Sequence, residues 1–163
     1  SGRPGRLAVG GHLPLGYYKD PVKTASTFVE LDGRRFVIAG DWATVAEDGV
    51  ITLLGRGSSC INTAGEKVYP EEVEDVLKRL DAVRDAAVVG IPDERFGQAV
   101  VALIEVADDR SVDEREVVDH VKSHLARYKA PRRVFVVDTL DRGPNGKLDH
   151  TRLREVASSL AAV

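Results

Sequence analysis

The segment L-D-R-G-P-N-G-K-L, residues 140–148, is too rich in turn formers for a helix or strand, and it presents Lys147 directly behind Asn145 and Gly146. An ammonium on a flexible stem, carried by such a loop, can be swung onto a phosphate or a carboxylate, so Lys147 is a candidate cation for phosphate chemistry. The bland alternative is an exposed surface lysine. The loop is not of the Walker A type, because G-x-x-G-K is too short and no Ser or Thr follows the lysine. Asp41 in A-G-D-W ends a β-prone run, where a carboxylate can accept hydrogen bonds from a ribose diol or simply form a turn after Gly40. Arg56 can pair with Asp41 as a structural salt bridge, or meet a sugar or a phosphate. His120 and His124 stand at i, i+4, but without an H-E-x-x-H motif they read as a solvated helix face, and no metal site is expected. Cys60, the only cysteine, cannot form an internal disulfide; it reads as a small buried hydrophobe and fits a reducing compartment.

The elements that must position these residues change character across 55–70, G-R-G-S-S-C-I-N-T-A-G-E-K-V-Y-P, which has the composition of a joint between two units. An ordinary surface hairpin followed by a helix start would have the same composition. Before the joint, short β-prone runs (R-L-A-V-G, F-V-I-A-G, V-I-T-L-L) are separated by Asp32-Gly33 and Asp48-Gly49, dipeptides suited to tight hairpins. A short helix is expected from Pro21 with Asp20 as its cap. After the joint, Pro70 opens a helix with Glu71, Glu72 and Glu74 in its first turn, and Val73, Val76, Leu77 and Leu80 form its apolar stripe. D-A-A-V-V-G-I and A-V-V-A-L-I-E-V read as two strands close enough to pair. Ser111 and Glu114 suggest a capping box for a helix carrying Val118, Val121 and Leu125, R-R-V-F-V-V-D is a third strand, and a last helix starts near Asp149 with Leu153, Val156 and Leu160 on one side. The expected fold class is α+β: a small β-rich N-terminal subdomain, then a two-layer α+β domain with helices on one face of a small sheet.

At 163 residues, 43% hydrophobic and 30% charged, the chain has the composition of a soluble globular protein. No apolar run approaches the roughly 20 residues of a membrane-spanning helix, and the opening S-G-R-P-G-R has no apolar h-region, so no secretory signal is expected. A net charge of −3 argues against a broad grip on nucleic acid. The chain begins without Met and is expected to be a piece of something longer.

Six ordered motifs together resemble the C-terminal third of the adenylate-forming enzymes, the superfamily of acyl-CoA synthetases, luciferases and peptide-synthetase adenylation domains. G-Y-Y-K-D-P-V-K-T-A-S-T-F is similar to the family's G-Y-Y-x-x-P-x-x-T-x-x-x-F, and A-G-D-W to its T-G-D. Residues 55–70 resemble G-R-x-x-D-x-I-x-x-x-G-x-x-V-Y-P. G-I-P-D-E-R-F-G, A-R-Y-K-A-P and L-D-R-G-P-N-G-K resemble V-P-D-x-x-x-G, Y-K-x-P and L-P-R-T-x-x-G-K. The departures are Ser58 where the hinge usually has Asp or Lys, Ala64 for a common Gly, and Asp141 for the Pro of the last motif.

The resemblance implies a fragment of an ATP-dependent acyl-CoA synthetase, most like a fatty-acyl ligase, which makes acyl-AMP and passes the acyl group to coenzyme A. It divides the chain into the last subdomain of a large N-terminal domain (1–54), a hinge (55–59, with Ser58 at its centre) and a mobile C-terminal domain (60–163). Asp41 and Arg56 are then nucleotide-binding, Lys147 bridges the substrate carboxylate and the α-phosphate, Gly65 lines the pantetheine passage and Lys67 faces the coenzyme A phosphates, or is merely a solvated lysine. The implied partners are a carboxylic acid, ATP with Mg2+ whose ligands are not in this fragment, coenzyme A and the missing N-terminal domain. Neither the family's phosphate loop nor its acyl pocket is present, so the fragment alone is expected to be inactive. The expected location is cytoplasmic, peripheral to a membrane where the acid is long-chain. Two rivals stand: an amino-acid-activating adenylation domain of a peptide synthetase, and a non-catalytic nucleotide-binding or interaction module.

Overall fold

The computed structural model describes residues 2–162. They fall into two compact units that divide between Ser58 and Ser59.

In the first unit, β1 (Gly5–Arg6), β4 (Asp41–Val45) and β5 (Ile51–Arg56) make an antiparallel three-stranded sheet in the order β1-β4-β5. Helix α1 (Pro21–Thr27) starts where the sequence predicts, with Asp20 accepting a hydrogen bond from the Lys23 N–H at 2.9 Å. It leads into the hairpin of β2 (Phe28–Leu31) and β3 (Arg34–Val37). Asp32 and Gly33 both have positive φ there, +51° and +69°, as a two-residue turn matched to strand twist requires. Among the described residues of this unit only Ala43 and Leu54 are buried hydrophobics, while Leu15 and Tyr18 are almost fully exposed.

The second unit holds β6 (Ile61–Thr63), β7 (Glu66–Val68), α2 (Pro70–Leu77), β8 (Val83–Asp93), β9 (Gly97–Val106), α3 (Glu114–His124), β10 (Arg133–Val136) and α4 (His150–Ala161). Its framework is the long β8–β9 hairpin, turned by Asp93, whose carboxylate accepts from the Arg95 and Phe96 N–H groups at 2.9 and 2.8 Å. β10 lies parallel to β9, which requires the crossover that α3 supplies. The hairpin of β6 and β7 joins the sheet through Thr63 opposite Gly97.

The α+β class is the one expected, but the layering differs. Alternate residues of β8 and β9 enter two separate cores. Ala86, Val88, Val100, Ala102 and Ile104 pack with α2 and α3 (Val73, Val76, Leu77, Val117, Val121), whereas Ala87, Val89, Val101 and Leu103 pack with α4 (Leu153, Ala157). Helices therefore cover both faces of the sheet rather than one. Strands buried on both faces must be apolar throughout, and these two nearly are.

The capping box at Ser111 and Glu114 is also corrected. Asp113 is the N-cap, accepting from the Arg115 and Glu116 N–H groups at 2.9 and 3.1 Å, and the helix starts at Glu114. Glu114 instead reaches across to the Val134 N–H of β10 at 2.9 Å. In α4 the inward residues are Leu153 and Ala157, and Leu160 is exposed. No helix among the described residues is long and apolar enough to cross a membrane.

Candidate functional site

Asp41 opens β4 and Arg56 closes β5, and the register sets them opposite one another. The Arg56 Nε stands 3.5 Å from the Asp41 Oδ1, with both side chains open to solvent. The structure thus brings these two predicted residues together as an ion pair. Behind them Gly57 is held against Trp42: a Cβ there would lie 2.5 Å from the indole Nε1, so this position excludes any side chain unless the ring moves. Ser58 lies on the short 3-10 turn Gly57–Ser59 and is exposed.

In the second unit, Ala64 and Gly65 are the two central residues of the β6–β7 turn, with φ of +52° and +85°. Gly65 needs its glycine for this backbone conformation, since nothing lies within 4 Å of an added Cβ. Ala64, the departure from the family pattern, adopts the left-handed conformation without that freedom, and its N–H donates to the Phe96 carbonyl at 2.8 Å. Lys67, on β7 opposite Asn62, is exposed.

The Lys147 loop is pinned at both ends, by buried Leu140 and half-buried Leu148, which pack into the α4-side core. Between them the backbone closes on itself: the Gly143 N–H donates to the Lys147 carbonyl at 2.9 Å and the Gly146 N–H to the Gly143 carbonyl at 2.8 Å. Gly146, at φ +73°, makes the reversal. The Lys147 side chain is exposed and forms no ion pair among the described residues.

Two neighbouring features escape the sequence reading. Arg142 grips Asp85 of β8 with two hydrogen bonds, Nε to Oδ2 at 2.6 Å and Nη2 to Oδ1 at 2.9 Å, and this holds the Asp85 carboxyl below its usual range. Glu74 does not serve the α2 dipole from the first turn. It is buried and accepts the Val88 N–H at 2.8 Å, and burial pushes its carboxyl up to about 7. Because the folded value lies above the ordinary 4.5, the folded chain keeps a proton that the unfolded chain releases. Stability from Glu74 is therefore complete below about 4.5 and is lost as pH rises through about 7. Glu74→Gln, which cannot ionise but can still accept from Val88, should melt like the parent near pH 4.5 and be more stable by on the order of 3 kcal/mol above pH 8. Thermal unfolding across that range checks this; equal melting temperatures at pH 8 would refute it.

Of the other sequence candidates, Cys60 is half-buried rather than a fully buried hydrophobe, and His120 and His124 lie on α3. The His120 Nε2 lies 3.1 Å from the Val76 carbonyl of α2, so this ring is a contact between helices rather than part of a wholly solvated face. The His120 and His124 rings sit 4.5 Å apart. Burial pushes the Cys60 thiol up, with Lys67 pulling the other way. No group of three or more His, Cys, Asp or Glu side chains able to hold a metal ion occurs among the described residues.

A two-sided α+β unit, preceded by a hairpin with a paired Asp and Arg and displaying a lysine on a pinned loop, has the organisation of a known domain. Residues 72–147 match the family described as AMP-binding enzyme C-terminal domain. More particularly, it is similar to acyl-CoA ligases. It is 52% identical over 150 residues to a 3-oxocholest-4-en-26-oate–CoA ligase of Rhodococcus rhodochrous, covering 92% of this chain and 27% of the relative. It is 48% identical over 162 residues to a medium/long-chain-fatty-acid–CoA/3-oxocholest-4-en-26-oate–CoA ligase of Mycolicibacterium smegmatis, covering 99% of this chain and 29% of the relative. Among solved structures, o-succinylbenzoate CoA synthetase of Bacillus subtilis, in complex with the acyl-adenylate intermediate OSB-AMP, matches with a TM-score of 0.83 at 31% identity, over 93% of this chain and 30% of that one. The chain spans less than a third of the length of these relatives.

Proposed function

We propose that the protein containing this chain is an ATP-dependent acid–thiol ligase that activates a medium- or long-chain fatty acid, or a carboxylate on a sterol side chain, as acyl-AMP and transfers it to coenzyme A. The observation that carries this reading is the 52% identity, across nearly the whole chain, to a coenzyme A ligase for a steroid acid. It favours thioester chemistry over the amino-acid-activating and non-catalytic alternatives.

In the first half-reaction an oxygen of the acid bonds to the α-phosphorus of ATP and pyrophosphate leaves. Two anions must meet, and an ammonium between them offsets their repulsion and the charge that develops on the phosphoryl oxygens. Lys147 is assigned that role: its ammonium is exposed and pairs with no carboxylate among the described residues, and its backbone is held by hydrogen bonds. Asp41 is assigned to the ribose hydroxyls, with Arg56 orienting its carboxylate and supporting the nucleotide. In the second half-reaction the coenzyme A sulfur bonds to the acyl carbon and AMP leaves. Gly65 is assigned to the pantetheine passage and Lys67 to the coenzyme phosphates. A change of orientation about 55–59 is assigned to the exchange of the Lys147 loop for the Gly65 turn. The Mg2+ that accompanies ATP is assigned to ligands outside this chain.

The test is acid-dependent exchange of labelled pyrophosphate into ATP by the full-length protein, followed by thioester formation with coenzyme A. Medium- and long-chain fatty acids or steroid acids should support both steps, and amino acids neither. Exchange supported by amino acids alone would overturn the reading.

A further inference from the structure

The peptide group joining Gly146 to Lys147 is held on both sides. Its carbonyl accepts a hydrogen bond from the Arg142 Nη1 at 2.8 Å, and its N–H donates to the Asn145 Oδ1 at 3.2 Å. Asn145 belongs to the same turn, so its contact travels with the loop. Arg142 does not depend on the turn alone. Its other two bonds go to Asp85, on the central hairpin, 57 residues away in sequence. Asp85 is itself fixed, because its Oδ1 also accepts the N–H of Ala86, a residue with no exposed surface. One guanidinium therefore ties the peptide before Lys147 to the most deeply packed strand pair in the unit. A planar fork with five donors can satisfy a carboxylate and a carbonyl at once, which an ammonium cannot do in the same geometry.

The geometry points to Arg142 as a positioning residue for Lys147: anchored on Asp85, it fixes the Gly146 carbonyl and so sets where the Lys147 side chain leaves the backbone. This rests on the reading of Lys147 as the adenylation cation. A surface ion pair that only stabilised the domain would weaken both half-reactions alike, whereas a clamp on the Lys147 peptide matters only to the step that uses Lys147. The loop carries a built-in comparison. Asp141, at its base, pairs with Arg152 of α4, a contact on the same loop that does not touch the 146–147 peptide.

In the full-length enzyme, Arg142→Ala, Arg142→Lys, Asp85→Asn, Arg152→Ala and Lys147→Ala are compared in two assays: pyrophosphate exchange, and thioester formation from pre-made acyl-adenylate and coenzyme A. Amide exchange at Gly143 and Gly146 gives a readout independent of catalysis. Arg142→Ala should lower the exchange kcat by on the order of tenfold to a hundredfold, the scale of a misplacement of about 1 Å, while KM for ATP and acid and the thioester step hold. Amide protection at Gly143 and Gly146 should fall. Arg142→Lys and Asp85→Asn should lie between the parent and Arg142→Ala, and Arg152→Ala should keep the parent ratio of the two half-reactions. Unchanged amide protection in Arg142→Ala, equal loss in both half-reactions, or an equal effect of Arg152→Ala would each overturn the clamp. If Lys147→Ala loses exchange while Arg142→Ala keeps it, the clamp alone is refuted. If Lys147→Ala keeps exchange, the reading of Lys147 falls and the clamp's catalytic role with it.

Discussion

Lys147→Ala in the full-length enzyme is expected to lower acyl-adenylate formation by on the order of a hundredfold or more, the usual scale for losing one contact to transition-state charge. Thioester formation from pre-made acyl-adenylate should stay close to the parent rate. The argument starts from exposure. Lys147 packs against nothing that its removal would leave hollow, and it forms no ion pair among the described residues that its removal would orphan. The two backbone hydrogen bonds at this residue use its N–H and carbonyl, which alanine keeps. Folding should therefore be unaffected, and the loss should fall on the step in which an anion attacks an anion. Measuring the two half-reactions separately decides the matter; equal impairment of both would mean that Lys147 serves the fold or substrate binding in general.

Gly65→Leu should give the opposite pattern, with acyl-adenylate formation near the parent level and transfer to coenzyme A reduced by tenfold or more, on the order of what a blocked approach costs. Two effects of the substitution must be separated. At φ +85° any side chain with a Cβ carries left-handed strain, about 1 kcal/mol. Bulk is the second effect, and its first atom is unobstructed, because among the described residues no atom beyond the adjacent ones lies within 4 Å of the new Cβ. Gly65→Ala carries the strain with almost none of the bulk. The neighbouring Ala64, at φ +52°, shows that the turn accommodates one such residue. If Ala and Leu at this position slow transfer to the same degree, the loss comes from the backbone of the turn and the passage role of Gly65 is wrong.

What the sequence made legible was local chemistry. Asp20 before Pro21, Pro70 with its following glutamates, and Asp149 each mark a helix start by capping or dipole logic that needs only adjacent residues, and each helix begins there. Features that depend on residues distant in sequence were less legible. That α4 takes the opposite face from α2 and α3 is set by tertiary packing, although a signal existed: the runs A-A-V-V-G-I and A-V-V-A-L-I lack the polar alternation of a strand with one wet face. Glu74 was misread because a carboxylate near a helix start has a sufficient local explanation, and only the partner Val88, 14 residues on, reveals the buried one. Arg142 lies inside the motif that flagged Lys147, yet its function follows from Asp85, to which no sequence spacing points. The pairing of Asp41 with Arg56 was one of the options open in the sequence; hairpin register selects it.

The placement of helices on both faces of the β8–β9 hairpin has a consequence for biosynthesis. The hairpin closes through a loop of three residues and can form as soon as Val106 has left the ribosome. α2, which covers one face, has already been made by then, but α4, which covers the other, begins only at His150. During that interval the nascent chain displays Val89, Ile91, Val101 and Leu103 as a strip of high β-propensity with nothing over it, the sort of surface on which chaperones act and from which aggregation starts. Cover on this face is therefore complete only once α4 is in place, and a chain lacking that helix would leave an aggregation-prone apolar face open.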